Sequence, residues 1–346
     1  DAAHIAMHDV NLGVDSFQYA APKIYLNVRT ANMKERSGLV VKDFRGPFFM
    51  DSTSINLPNL YFCLPGTELS GRFRMDMNAF ADNNPGQIAT QLDGFLQLED
   101  LRPFLTSVPK NIYHTIPSQR LIVNGKLDGN LRSASFKQLR LAMPGYFDLT
   151  GTGWIGDMMA GSGHLRSDLK LKGTANNLSF VSKLLPRNVR KTIAFPKAIG
   201  VKGYVHVRKS LYAGNIQLTQ GGGRIRLNGA YNTSTELYRL TADAKAFPVH
   251  RFLPTMRLSA FTGTIKAQGR GTDFLNPKSS TNLSLRIRKF SYGKYVLDGL
   301  NGDVSKHGEL LSAHVNSQNR ILGGNFTYKG RVNSKLVDGH IRGWLH

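Results

Sequence analysis

The sequence predicts an all-β fold: an elongated, repetitive, curled β-sheet, rich in antiparallel pairing, that forms an open trough or taco with a few short helices. Three observations predict it. Polar and apolar residues alternate with period two in segment after segment, which gives a strand one apolar and one wet face. Almost no helical periodicity lies between these segments. Glycine is abundant, 35 of 346 residues, as a chain with many turns and strand ends requires.

Taken in order, residues 4–62 read as short strands, among them Lys23-Ile24-Tyr25-Leu26-Asn27-Val28-Arg29, with a break at Met33-Lys34-Glu35-Arg36-Ser37-Gly38. A second run covers 68–80, where Arg72-Phe73-Arg74-Met75-Asp76-Met77-Asn78 alternates throughout. Phe80-Ala81-Asp82-Asn83-Asn84-Pro85-Gly86 is turn chemistry: Asn and Asp tolerate unusual backbone angles, and Pro-Gly fixes a bend. Residues 1–80 are therefore expected to form the N-terminal β segment of the trough.

Residues 81–346 read as degenerate repeats, at about 98–176, 177–246 and 247–346, continuous with the first segment. Each opens on a short apolar stretch ending in Pro, a helical turn or two: Leu98 to Leu105 continuing to Pro109, Leu178 to Pro186, and Phe247 to Pro254. A Gly-marked strand follows, around Gly125, Gly203 and Gly263. Such units stack their neighbours to build a continuous core, so length does not by itself divide the chain. Phe180 to Thr192 is a further helical candidate, either a basic amphipathic helix on a membrane or, because Pro186 interrupts it, a short plug over the sheet end. The chain opens at Asp1 and closes on strand-like Ile341-Arg342-Gly343-Trp344-Leu345-His346, which predicts a piece of a longer protein at both ends.

Hydrophobic residues at 41% and charged residues at 20% describe an ordered chain. The formal net charge of +22 bears on partners, not on fold. Nucleic-acid binders concentrate such charge in a patch or helix. Here Lys and Arg spread along the polar faces of strands, which favours a solvated face, anionic lipid or envelope polysaccharide, and no nucleic-acid partner. Phe73, Phe147, Phe261, Phe274 and Phe326 sit in or beside strands and read as groove lining or core, not as a base-stacking platform. The lone Cys63 cannot form an intrachain bridge and reads as a small hydrophobe.

No pattern carries catalysis. Gly151-Thr152-Gly153-Trp154-Ile155-Gly156 fits the dinucleotide fingerprint by letter, but no helix follows to face a pyrophosphate, so it reads as a turn between strands. Gly221-Gly222-Gly223 reads as a hairpin turn or bulge. His4 and His8, with Asp9 beside them, would need a third ligand from elsewhere to hold a metal, and an exposed edge strand explains them. No Gly-x-Ser-x-Gly pattern occurs, and no carboxylate pair sits in apolar surroundings. The expectation is a protein that is not an enzyme, with no catalytic, cofactor or metal set.

The opening run Ile5-Ala6-Met7-His8-Asp9-Val10-Asn11-Leu12 with Asp15-Ser16-Phe17 and Lys34-Glu35-Arg36-Ser37-Gly38-Leu39 resembles TamB-type translocation and assembly proteins of the wider AsmA-like group. So do the repeat starts Asp100-Leu101-Arg102-Pro103-Phe104-Leu105 and Ala246-Phe247-Pro248-Val249-His250-Arg251-Phe252-Leu253-Pro254. The resemblance spans about residues 4 to 330. It implies a Gram-negative envelope protein in the periplasm, anchored in the inner membrane through a segment missing from this chain. It further implies a bridge-like role in passing phospholipid between inner and outer membranes. An Omp85-type outer-membrane barrel is the implied protein partner, through a region not in this chain.

On this reading the apolar strand positions line one groove. They are Phe73, Met75 and Met77; Leu121, Val123 and Leu127; Leu169 and Leu171; Val205 and Val207; Ile216 and Leu218; Ile225 and Leu227; Ile265 with Ala267; and Leu283, Leu285 and Ile287. An acyl chain in water costs about 0.8 kcal/mol per CH₂, and such a lining offsets that cost along its length. The runner-up is a closed β-sandwich or solenoid serving as a scaffold or adhesion module, in which apolar faces pack on each other and no groove remains. An enzyme acting on an acidic polysaccharide stands third.

Overall fold

The computed structural model describes residues 6–81, 83–100, 115–130, 132–157, 164–184, 190–320, 323–335 and 337–345. It is nearly all β, and the paired strands run antiparallel, as the alternation predicts. By contacts the chain divides into two compact units, Asp1–Gly161 and Ser162–His346. The division falls inside the stretch expected as the first repeat.

The first unit is a meander of β1 (Met7–Ala20), β2 (Lys23–Glu35), β3 (Val40–Val41), β4 (Asp43–Met50), β5 (Ser54–Cys63), β6 (Glu68–Asp76), β7 (Ile88–Leu96), β8 (Leu121–Gly129), β9 (Ser133–Met143) and β10 (Phe147–Gly156). Each strand pairs with the next, except that β2 takes both the short β3 and β4. The turn chemistry at 80–86 joins β6 to β7, which pair from Met75↔Ile88 to Glu68↔Phe95. Gly151–Gly156 lies inside β10 rather than in a turn between strands. There Gly151 and Gly153 stand opposite Leu139 and Phe136, so small residues face large ones across the ladder.

The second unit continues the pattern with β11 (Arg166–Ala175), β12 (Ile199–Arg208), β13 (Leu211–Gln220), β14 (Gly223–Asn232), β15 (Leu237–Phe247), β16 (Phe261–Arg270) and β17 (Ser280–Lys289). The ribbon β18 (Ser291–Tyr292) and β19 (Tyr295–Val296) is a separate two-stranded excursion. The meander then resumes with β20 (Leu300–His307), which pairs with β17, and ends with β21 (Leu310–Ser317), β22 (Gly324–Val332) and β23 (Val337–Leu345). Gly221 and Gly222, both at positive φ (54° and 84°), close the two-residue hairpin between Gln220 and Gly223, as the triple glycine predicts. Among the described residues, no pairing joins the first and last strands of either unit.

Helix is scarce. α1 (Ser179–Leu184) connects β11 to β12, and α2 (Val249–Phe252) with a 3₁₀ turn (Pro254–Met256) connects β15 to β16. These are two of the three apolar stretches that end in Pro. Most of the first, from residue 101 on, lies outside the described residues, as do residues 185–189 of the expected helix 180–192. Both connections leave the same end of the second unit's sheet. The Ala194 N–H donates to the Phe252 carbonyl at 2.8 Å and ties one to the other. At that end a small core forms: Ala244, Phe247, Phe261 and Ile287 are buried, with Val249 and Phe252 of α2 packed on them. Phe247 stacks on Phe252 at 5.0 Å, and Phe261 meets Phe290 edge-on at 5.8 Å. Over the second unit's sheet, α2 covers this end, whereas the sequence predicts the plug at residues 180–192, part of which lies outside the described residues.

Candidate functional site

Cross-strand partners in a ladder share a face, so the register turns the alternation into a surface. In the second unit one row runs Leu171, Gly203, Ile216, Leu227, Ala242, Ile265, Leu285, Gly302, Val315, Phe326, Gly343. A second row runs Leu169, Val205, Gly214, Gly229, Leu240, Ala267, Leu283, Val304, Ala313, Tyr328, Ile341. Neither holds a charge across eleven strands. A third row holds Val201, Leu218, Ile225, Ala244, Gly263, Ile287 and Leu300. Every groove position expected on β11 to β17 lies on this face: Leu169, Leu171, Val205, Val207, Ile216, Leu218, Ile225, Leu227, Ile265, Ala267, Leu283, Leu285 and Ile287.

The first unit has its own such face. Ile24, Met50, Ile55, Met75, Ile88, Gly129, Ala134 and Ile155 form one uncharged row, and Phe44, Phe62, Leu69, Gly94, Val123, Leu141 and Leu149 another. Phe73 and Leu127 share a row with Leu57 and Phe136, and Leu121 closes the face opposite Leu96. Met77 lies past the end of β6, in the turn, with 49% of its surface exposed. Its N–H donates to the Thr53 carbonyl at 2.8 Å.

Burial grades along these faces. Leu57, Ala134, Val207, Ala242, Ala244 and Ile287 on these faces are buried, at 8% exposure or less, whereas most of the other row residues are half-buried. A face sealed under a second sheet has its central residues excluded from water. Here the clustered buried residues of the second unit, Ala244, Phe247, Phe261 and Ile287, lie at the end that α2 covers.

The opposite face is polar. Asp168 accepts from Arg208 Nη2 at 2.8 Å and also contacts His206 Nδ1; the Arg208 bond, then the His206 bond, holds its carboxyl below the usual range. Arg286 forks onto Asp303 at 3.2 and 3.1 Å and lowers its pKa likewise. Arg140 does the same to Asp148 at 3.0 and 2.7 Å. These carboxylates are ionised partners of cations at neutral pH. The Asp168–His206–Arg208 cluster was invisible in the sequence, because only the β11–β12 register brings its members together. Of the candidate metal residues, His4 lies outside the described residues; His8 is exposed on β1, and Asp9 pairs with Lys34 at 2.9 Å. Cys63 is half-buried on β5.

A charged residue, Lys306, also enters the apolar face. Lys306 stands opposite Thr281 and Leu311, fully buried, beneath the loop that precedes β17. Its Nζ donates to the Asn276 carbonyl at 3.0 Å and to Ser279 Oγ at 2.9 Å, and lies 5.5 Å from the Phe274 ring centre. The sequence offers no signal for this burial.

No helix among the described residues is long and apolar enough to cross a membrane. The chain matches no family model, and no curated protein or solved structure shows significant similarity to it.

Proposed function

We propose that the chain is part of a non-enzymatic envelope protein whose apolar β face carries phospholipid between the inner and outer membranes, supports outer-membrane protein assembly, or both. The observation that carries the reading is the pair of uncharged rows that cross eleven strands of the second unit while remaining half-open to water. Successive strands offer nearly equivalent apolar contacts about 4.8 Å apart. An acyl chain moving from one strand to the next exchanges like contacts for like, so barriers to sliding are shallow and no covalent step is needed. The wet opposite face keeps the sheet soluble. The resemblance to TamB-type and AsmA-like proteins supplies the setting: the periplasm, an inner-membrane anchor in a segment missing from this chain, and an Omp85-type barrel reached through another region.

The test is lipid retention. The purified chain is extracted and its phospholipid measured by mass spectrometry, beside a Leu227→Asp/Leu285→Asp variant that puts two carboxylates into one row. Wild-type protein is expected to retain phospholipid and the variant to lose most of it. Lipid-free wild-type protein, or equal lipid in both, overturns the reading.

A further inference from the structure

The cations of the second unit's polar face differ in how they are satisfied. Arg208 shares Asp168 with His206, and Arg286 forks onto Asp303. Near them lies a cleft of about 480 Å³ lined by Arg224, Arg226, Asp243, Lys245, Thr262 and Arg288. Arg224 and Arg226 are alternate residues of β14, so their side chains leave the same face about 7 Å apart. Lys245 on β15 stands directly across from Arg224, and Asp243 across from Arg226. Arg288 reaches the cleft from β17, two strands beyond β15 and so about 10 Å away.

Among the described residues, none of these four cations has a carboxylate at ion-pair distance. Arg226 Nε donates to the neutral Gln217 Oε1 at 3.2 Å. Thr262 Oγ1 accepts the Ala246 N–H at 2.9 Å, which leaves its own hydrogen to donate. Four cations against one carboxylate leave a surplus of three positive charges around one concavity. Like charges opposed across a ladder destabilise it. A bound anion removes that repulsion, and guanidinium forks match the oxygens of phosphate.

We propose that this cleft is a binding site for phosphate-bearing anions on the face opposite the apolar rows. Arg224, Arg226 and Arg288 supply forks, Lys245 a point charge and Thr262 a hydroxyl donor. The site stands apart from the lipid reading, because it needs no acyl chain and shares no side chain with the apolar face. The phosphate comes either from a small soluble ligand or from a lipid headgroup.

The test uses the whole chain with two probes: inorganic pyrophosphate by calorimetry, and flotation with phosphatidylglycerol vesicles against phosphatidylcholine vesicles. An Arg224→Gln/Arg288→Gln variant is compared with Lys170→Gln/Lys172→Gln, which removes equal charge from the same face outside the cleft. The cleft variant is expected to lose roughly tenfold in affinity and the control less than about twofold. Loss of pyrophosphate binding assigns a soluble phosphate ligand, and loss confined to vesicles assigns a headgroup. Should circular dichroism show the cleft variant unfolded, Lys245→Gln is read by the same criteria. Equal losses in cleft and control variants, or no saturable binding of either probe, overturns the proposal.

Discussion

Lys306 carries a buried ammonium with neutral acceptors as its partners. Both acceptors have other company: Ser279 donates its N–H and hydroxyl to the Asn276 carbonyl, at 3.0 and 2.8 Å. Removing the charge therefore orphans nothing, and desolvation of the ammonium weighs against its hydrogen bonds. Lys306→Met, which keeps the apolar stem, is expected to stay within about 1 kcal/mol of wild type. Lys306→Ala removes the stem and is expected to cost about 2–4 kcal/mol by leaving a cavity. Urea unfolding compares the two. Asp51 makes the contrasting case of a carboxylate that organises a turn. Its Oδ1 accepts the Thr53 hydroxyl and the N–H groups of Thr53 and Ser54, and these bonds, the hydroxyl first, hold its pKa at about 2. A depressed carboxylate stabilises the fold above its unfolded value of about 3.9, and the contribution is lost as pH falls through the folded value. Asp51→Ala is accordingly expected to lower Tm at pH near 6, with the gap to wild type closing as pH falls toward about 2.

The strand is the scale at which the sequence was most readable. A two-residue period maps directly onto a sheet face, so Ile225 and Leu227 declare their side by the Arg224, Arg226 and Asn228 that flank them. Bulges and strand ends were harder. Met77 continues the parity of Phe73 and Met75 but falls past the last ladder pair of β6. The glycines of β10 resembled a turn because composition cannot report what stands across a ladder. Gly71 shows what a strand glycine does. Its φ is +152°, and an added Cβ would sit 1.8 Å from the Gln91 carbonyl oxygen. Gly145, at φ +80°, has open space around it. Gly145→Ala is expected to cost about 1 kcal/mol of backbone strain. Gly71→Ala must also push β6 from β7 and is expected to cost about 3 kcal/mol or more. Chemical denaturation of the two variants checks the order.

For the whole molecule, the alternation made the fold class legible, while the polar-face clusters stayed hidden. Arg224 and Arg288, or Asp168 and His206, meet only through register, and register is set by turns and bulges that no single segment declares. The net charge of +22 is plain in the sequence and has a consequence of its own. Self-repulsion opposes compact states. Raising salt from about 0.01 M to about 0.15 M shortens the screening length from about 30 Å to about 8 Å and is expected to raise Tm, as scanning calorimetry would register. A flat or falling trend would place the cations in balanced pairs, against the unpaired arrangement at Arg224 and Lys245.

The half-buried rows leave hydrocarbon surface wetted in the native chain itself. Any amphiphile that covers them binds the native chain and not the unfolded one, and adds RT ln(1 + [L]/Kd), about 2.7 kcal/mol at a hundredfold excess over Kd. Heat tolerance then becomes a gauge of occupancy: the protein without amphiphile melts first, and each increment of bound amphiphile is legible as degrees.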